Sequence, residues 1–572
     1  MRKIFLLGVF LCCASLGYTQ SANMKRNMED NIFVDRLDIL NGRISDTLFT
    51  TLNAMSRKDV VHFLENYLIT HPDLTIGEKE DIQNIISKNG EWAANGDGAA
   101  YSKWPIFNTF YIKKPDFLNV QTHNADLIVN PIIAYQQTVE SGNGGQTLFV
   151  NSKGLEVRGR VANRLGFYSA FTDNQERGPR QFQNYMLSHA AVPGNAYYKD
   201  FKLEKPGNGV DYINACGYID AEVIKNTINV SFGHDRFHIG DGYRSLFLSD
   251  FGANYLFAKI NTRIWKVNYQ NLFMELTPQY KRGGDQLLPK KYAAMHHLSI
   301  NVAPWLNVGL FEGIIFGRKD HFEFQYMNPI ILYRSIEQGA GSPDNALLGL
   351  NFKMNPGRFN TVVYGQLLLD EFKFAEIKSR KGWWGNKYGI QLGCKIADPF
   401  GIVNLLIQPE INIVRPFTYS FRDSSAYNAV YDVPVADYTH YNQPLAHPFG
   451  ANFSEFNLLV QYIPVQHLIL SMKTFYNKQG RDTASSVSFG GDIFKSYKKK
   501  NSDYGIRMYN GATTTVWYTN LNASYELRDN FYIDLGLTFR NEKSSFSTNP
   551  NFASNQFYVG FRLNAARRQY DY

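Results

Sequence analysis

Gln556-Phe557-Tyr558-Val559-Gly560-Phe561-Arg562-Leu563-Asn564 alternates without a break: Phe557, Val559, Phe561 and Leu563 share one face, and Tyr558, Gly560, Arg562 and Asn564 share the other. Successive side chains of a strand point to opposite faces, so the stretch reads as a strand with one wholly apolar face. The same pattern stands upstream in Phe531/Ile533/Leu535/Leu537/Phe539, with Tyr532, Asp534, Gly536, Thr538 and Arg540 between. An acid, a base and a glycine opposite an apolar row belong to a polar lumen rather than to a second core. Leu155/Val157/Val161, Leu298/Ile300/Val302, Leu348/Leu350/Phe352/Met354 and Phe456/Leu458/Val460/Tyr462 repeat the pattern. Carried over many strands, it predicts an all-β fold, a transmembrane antiparallel barrel of the outer-membrane type.

Composition points the same way. A chain of 572 residues is ample for a barrel plus an appendage. Mean hydropathy of −0.32 is too polar for a bundle of membrane helices, yet suits a barrel in which every second strand residue faces lipid. The 42 Phe and 36 Tyr fit strands and interfacial girdles. A large secreted all-β protein with aromatic sandwich cores is the competing reading, and the many unbroken apolar faces weigh against it. A formal charge of +8 permits anionic partners such as lipopolysaccharide or acidic polysaccharide without requiring them. No basic, aromatic-laced motif for nucleic acid occurs.

Residues 1–20 read as a cleaved signal peptide: Arg2 and Lys3 start it, Ile4 to Cys13 is the apolar run, and small and polar residues follow to Gln20. Neither Cys12 nor Cys13 sits in a convincing lipobox. Once these leave, Cys216 and Cys394 stand alone and far apart, with no zinc pattern and no disulfide framework, and no metal or cofactor is expected.

Residues 21–125 read as an N-terminal periplasmic, mainly helical element and lead-in. Ser56 with Asp59, and Thr75 with Glu78, are helix-start signals, and Gly90 is a stop. Val34 to Leu40 also reads as a strand. Residues 126–572 read as the barrel. Short turns fall near Asn163, Asn226, Thr262, Pro304, Pro356-Gly357, Pro399-Phe400-Gly401, Pro464 and Asp529-Asn530. They alternate with long polar connections at about 139–149, 173–211, 233–252, 278–291, 317–345, 372–386, 417–451, 479–513 and 542–553. Outer-membrane barrels put short turns in the periplasm and long loops outside, so this alternation needs about 18 strands with both ends periplasmic.

Three constellations carry possible chemistry. Ser231 to Tyr255 holds His234, Asp235, His238, Asp241, Ser245, Ser249 and Asp250, the side-chain types of a hydrolase triad or a metal site, among glycines that invite a phosphate-loop reading. No Gly-x-Ser-x-Gly elbow is present, and Gly240-Asp241-Gly242 lacks the Gly-Lys-Ser/Thr ending. A loop folded into the lumen accounts for the same residues. Arg158 and Arg160 point inward beside Glu156, with Arg244 on a nearby loop; such arginines line a path for anionic sugars or stiffen the wall as an ion-pair ladder. Tyr438 to Glu455 combines aromatic rings with amide and imidazole groups, and Tyr438, His440, Tyr441, Asn442 and His447 are the candidate glycan contacts. A rigid, proline-rich loop explains these residues equally well.

At these residues the chain resembles the Wzi-like capsule-assembly family of outer-membrane proteins, and its Bacteroidetes branch, the RemB-like proteins of gliding motility. The matching stretches are Phe232-Gly233-His234-Asp235 through Ser249-Asp250, Tyr326-Met327-Asn328-Pro329 to Gly349, Tyr364-Gly365-Gln366 with Asp370-Glu371-Phe372, Arg415-Pro416-Phe417-Thr418-Tyr419, and Leu445-Ala446-His447-Pro448-Phe449-Gly450-Ala451-Asn452. The resemblance runs from about residue 34 to the end. It implies an 18-stranded barrel with a helical element at its periplasmic mouth, lectin-like rather than enzymatic. Family members attach capsular polysaccharide to the cell surface, and the RemB-like branch serves movement over surfaces. The expectation is therefore a non-catalytic outer-membrane barrel of a Gram-negative bacterium that organises or anchors surface polysaccharide, or serves gliding and adhesion. Its partners would be outer-membrane lipid, surface glycan and surface or motility proteins, met by loops 173–211, 317–345 and 417–451. A passive or selective pore is the alternative.

Overall fold

The structure, a computed structural model, describes residues 22–25, 28–46, 48–52, 55–95, 98–122, 124–162, 165–202, 208–280, 287–318, 321–329, 332–341, 344–422, 435–546 and 551–572. The expected leader, the turn at Asn163 and part of loop 417–451 lie outside the described residues.

Strands β1 (Ala125–Glu140), β2 (Leu148–Val161), β3 (Leu165–Arg177), β4 (Asn208–Ile224), β5 (Ile228–Asp235), β6 (Tyr255–Ile264), β7 (Val267–Leu276), β8 (Lys291–Ala303) and β9 (Leu306–Phe316) form half of one antiparallel sheet. The other half is β10 (Asn345–Met354), β11 (Thr361–Leu369), β12 (Tyr388–Ala397), β13 (Leu405–Val414), β14 (Phe453–Val465), β15 (Leu468–Arg481), β16 (Ala512–Arg528), β17 (Phe531–Ser544) and β18 (Phe552–Leu563). Each pairs with its neighbour in sequence, and β18 pairs back onto β1 from Ile133↔Leu563 to Glu140↔Gln556. The 18 strands thus close into a barrel without an edge. Two short strands, Leu118–Gln121 and Lys199–Lys202, add to β1 and β4.

The faces fall as the alternation requires. Leu535, Phe557, Val559 and Phe561 are 41–49% exposed and form part of the outer apolar belt. Asp534 and Arg562 on the same two strands face inward, where Arg562 Nε donates to Asp534 at 2.8 Å. Eight short connections alternate with nine long ones, and two short turns sit three residues or fewer beyond their expected places. Thr262 lies within β6 and Pro464 within β14, and the chain reverses at 265–266 and 466–467. Trp265 and His467 supply the left-handed backbone there (φ 55° and 67°), a conformation neither residue type advertises. Among the described residues, no helix is long and apolar enough to cross a membrane.

The lumen is not uniformly polar. Phe237, Leu246, Phe247 and Leu248 of the 236–254 connection pack with Tyr438, Leu445 and Phe449 against inward wall residues such as Met295, Phe311 and Phe475. Phe247 stacks on Phe311 at 4.6 Å, with planes 4° apart. An apolar core thus forms inside the barrel, where 236–254 folds inward as the lumen-loop reading expects and 435–452 joins it from a connection expected to lie outside.

The N-terminal residues form helices α1 (Glu29–Leu40), α2 (Arg57–Thr70) and α3 (Ile76–Ser87). Val34 to Leu40 is helical, not extended: Val34 and Leu37 bury on one face with Val60, Val61, Leu64 and Ile82. Ser56 caps α2 by accepting the Asp59 N–H, and Thr75 and Glu78 form a reciprocal capping box on α3. The helices close the short-turn mouth through ion pairs to the wall: Arg36 to Asp398 at 2.6 Å, Lys353 to Asp38 at 2.7 Å and Lys88 to Glu526 at 2.9 Å. Both members of the Lys353–Asp38 pair are buried, so removing either would strand a charge.

Candidate functional site: a filled lumen beneath an outer cavity

The 236–254 connection descends into the barrel as a narrow loop, held by the Ile239 N–H to Leu248 carbonyl bond of 2.9 Å. Its glycines serve close approach rather than phosphate binding. The Gly240 N–H donates to the Thr51 carbonyl at 2.6 Å, and a Cβ there would lie 2.4 Å from Gln366 Nε2. A Cβ on Gly242 would lie 2.5 Å from a Glu410 carboxylate oxygen. The serine hydroxyls are spent locally: Ser245 donates to the Ile239 carbonyl and Ser249 to the Ala446 carbonyl, each at 2.5 Å. His238 pairs with Asp250 at 3.6 Å, Asp241 accepts from Thr50 and Thr51, and His234 bonds the Ala215 carbonyl. No serine hydroxyl of this stretch bonds to a histidine of it. Among the described residues, no three His, Cys, Asp or Glu side chains gather as a metal site.

Residues 435–452 also fold inward, against the expectation that loop 417–451 presents its length to a partner outside. Tyr438 is fully buried, donates to the Phe247 carbonyl at 2.5 Å and stacks on Tyr419. His440 accepts the Thr277 N–H on Nδ1 at 2.9 Å and donates from Nε2 to the Asn254 carbonyl at 3.0 Å, which settles its tautomer. Burial holds its imidazole down at about 3, so it is neutral at physiological pH. Thr439–His440 pairs with Gln443–Pro444 around Tyr441 and Asn442, both left-handed (φ 47° and 57°). The Asn442 amide donates to the carbonyls of His189 and Tyr280, and the fully buried His447 bonds Glu455 at 2.8 Å.

The arginines divide between two tasks. Arg158 donates to Glu91 at 3.1 Å and to the Lys88 carbonyl, and Arg160 meets Asp126 at 2.5 Å with its guanidinium over Trp92; both tie the N-terminal helices to the wall. Arg244 lies at the centre of a network in the lumen. Its N–H and that of Tyr243 donate to Glu410, and its guanidinium reaches Glu455 and the Asp571 carbonyl. Asp571 belongs to residues 565–572, which leave β18 and turn back into the barrel. Tyr570 donates to Glu176 at 2.7 Å, Arg568 meets Glu176 at 3.2 Å, and Lys473 meets Asp571 at 3.1 Å. Sequence reasoning did not find this segment.

Above the filled lumen, at the long-loop end, lies a cavity of about 1470 Å³. A fourth helix, α4 (Arg180–His189), forms one side. Six amide side chains line it, those of Gln181, Asn184, Gln279, Asn442, Gln479 and Asn551, beside the rings of Tyr185, Tyr280 and Phe449. Arg481 bridges to Glu542 at 2.8 Å and Lys495 to Asp482 at 2.7 Å on its rim. Burial lowers the His189 imidazole to about 4, leaving it neutral at physiological pH, and its ring stacks on Tyr185 at 3.9 Å. Of the eight residues singled out from sequence, Asn442 lines this cavity; Tyr438, His440, Tyr441, His447, Arg158, Arg160 and Arg244 do not.

No protein-family model matches the chain, and no curated protein matches it in sequence. Solved structures do match in shape. One is Wzi of Escherichia coli, described as an outer-membrane protein involved in group 1 capsule assembly and a carbohydrate-binding β-barrel: TM-score 0.56, 12% identity, 96% of this chain and 100% of that one covered. Pseudomonas aeruginosa OprD aligns at TM-score 0.40 and 10% identity over 76% of this chain and 94% of its own. Acinetobacter baumannii OccAB2 aligns at TM-score 0.40 and 7% identity over 76% and 97%. The chain therefore has the fold of an outer-membrane β-barrel, similar along nearly its whole length to that of Wzi.

Proposed function

We propose that this protein is a non-catalytic outer-membrane barrel that holds surface polysaccharide at its long-loop end. The observation that carries the reading is the outer cavity. Gln181, Gln279, Asn442 and Gln479 spend their amide hydrogens on protein oxygens and fix the cavity's shape, while the exposed amides of Asn184 and Asn551 offer donors and acceptors to sugar hydroxyls, with tyrosine rings beside them for stacking. The likeness in fold to a carbohydrate-binding barrel supports the same reading. The lumen below is occupied by residues 236–254, 435–452 and 565–572, an arrangement suited to an anchor rather than to a pore. A passive pore predicts steady ion conductance in planar bilayers; the anchor predicts almost none.

The direct test is glycan binding by the purified barrel in detergent, measured by calorimetry against acidic and neutral oligosaccharides. Asn184→Ala and Arg481→Ala should each weaken binding by about 2- to 10-fold, the loss of one net hydrogen bond. Binding unchanged in the double variant would remove the cavity from the account. A deletion strain separates the two cellular roles of such a surface: lost capsule retention assigns it to capsule anchoring, and lost spreading on agar assigns it to gliding and adhesion.

A further inference from the structure

Residues 101–113 form a hairpin at the short-turn rim of the barrel. Tyr101 pairs with Lys113 and Ile106 with Phe110, and Ile106 and Phe110 exchange two backbone hydrogen bonds of 2.9 Å each. Its base is fixed: Phe110 stacks on Phe117 at 4.4 Å, Tyr111 meets the same ring edge-on at 5.6 Å, and the Phe117 N–H donates to Asn130 at 2.7 Å. Its tip is the opposite. Trp104 and Phe107 are each 87% exposed, with Ile106 and Ile112 also open. Phe107 and Asn108 both hold left-handed backbone (φ 50° and 51°). A bulky aromatic rarely takes that conformation, which belongs to glycine or asparagine in a tight turn. A rigid stalk that holds two large rings away from every protein core is built to place them in something else.

We propose that this hairpin is an interfacial foot that inserts Trp104 and Phe107 into the headgroup layer of the periplasmic leaflet and there contacts anionic phospholipid. Two observations choose lipid over a protein partner. The first is continuity with the lipid-facing belt. Four residues beyond the hairpin, the strand Leu118–Gln121 pairs with β1, and Val120 lies opposite Leu127. Both are exposed on the outer face of the wall, so the hairpin springs from the lower margin of the apolar belt. Tryptophan and phenylalanine at that depth match the aromatic girdle of membrane barrels. The second is charge. Lys103, beside Trp104, and Lys114, at the hairpin's base, are both exposed and give the foot cationic groups suited to phosphate headgroups.

The test uses the whole protein in vesicles of phosphatidylethanolamine and phosphatidylglycerol. Trp104→Phe removes one exposed indole and no buried contact, so the difference in emission between wild type and variant reports Trp104 alone. The expected difference spectrum is blue-shifted, quenched by lipid brominated near the headgroup end of its acyl chains, and insensitive to aqueous iodide. A red, iodide-quenched difference spectrum would place the tip in water, as a protein-docking hairpin requires, and would overturn the proposal. Charge is tested with the Lys103→Glu/Lys114→Glu double variant. It should lose the blue shift in anionic vesicles more than in vesicles of phosphatidylcholine alone, and equal behaviour in both would refute the anionic-lipid assignment.

Discussion

Segment 435–452 hangs on His440, and its attachment can be cut in two independent ways. Replacing His440 by Phe keeps a ring between Tyr255 and Tyr441 but removes both imidazole hydrogen bonds. The Thr277 N–H and the Asn254 carbonyl, on residues that are each only 9% exposed, are then left unpaired. Each orphaned group costs about 1–3 kcal/mol, or about 2–6 kcal/mol together. The loss is local. Tyr438 still donates to the Phe247 carbonyl, and Lys291 still pairs with Asp437 at 2.7 Å, while the barrel ladder is untouched. Protons make the same cut. Burial keeps the docked imidazole neutral down to about pH 3, whereas in a released segment it would titrate near 6.5. Docking is therefore at full strength above 6.5 and weakens as pH falls below it, by about 1.4 kcal/mol per unit, or about 2.7 kcal/mol at pH 4.5.

Hydrogen exchange of the detergent-solubilised barrel, corrected for intrinsic rates, reads both effects segment by segment. Wild type should lose protection over 435–452 between pH 7 and pH 4.5. His440→Phe should show weak protection at both values and little dependence on pH. Wild-type protection in the variant, or an undiminished pH response, would refute the argument that this imidazole holds the segment in the lumen.

Three further outcomes follow from the same contacts. Lys353→Met leaves Asp38 buried without its cation, a loss of about 3–5 kcal/mol that should appear as faster exchange in α1 to α3 with the strands unchanged; adding Asp38→Leu should restore most of it. Deleting residues 565–572 frees Glu176, Lys473 and Arg540 from their partners in that segment and should raise conductance in planar bilayers; unchanged conductance would show that the segment does not block the lumen. Asp492, beside the outer cavity, is pushed up to about 6 by burial and by Asp482. Its ionisation disfavours the folded loop, so protection over 482–511 should fall as pH rises from about 4 to 6, opposite in sign to the His440 effect, and Asp492→Asn should flatten that dependence.

The barrel was legible because hydrocarbon imposes one period on every strand: Leu535 and Val559 must face out whatever the rest of the chain does. The alternation of short and long connections was legible for a similar reason, since Pro304, Gly357 and Asn530 are turn residues on their own chemistry. The shifted turns at Trp265 and His467 show where that signal ends, because neither residue type announces left-handed backbone. The helix over Val34 to Leu40 was ambiguous because seven residues are too few to separate the periods: Val34 and Leu37 share a helical face, while Leu37 and Ile39 also alternate around Asp38 as in a strand. Of the lumen, the inward loop 236–254 was legible from its polar and glycine-rich composition; the inward course of 435–452 and 565–572 was not, and the reason is physical. Rings, amides and imidazoles that recognise a sugar are the same groups that satisfy buried backbone, and only the fold decides which they meet. Tyr438 and His440 met carbonyls of Phe247 and Asn254, so their chemistry is already spent. Residues 565–572 carry no period at all, and the carboxylate that receives Tyr570 lies 394 residues earlier in the chain. What the inward segments consume also locates what is left. Asn442 turns its amide on the His189 and Tyr280 carbonyls at the cavity floor, while Asn184 on α4 stays exposed in the wall above it. The proposed glycan contacts are therefore sought in the outer cavity, one layer above the motif that first suggested them.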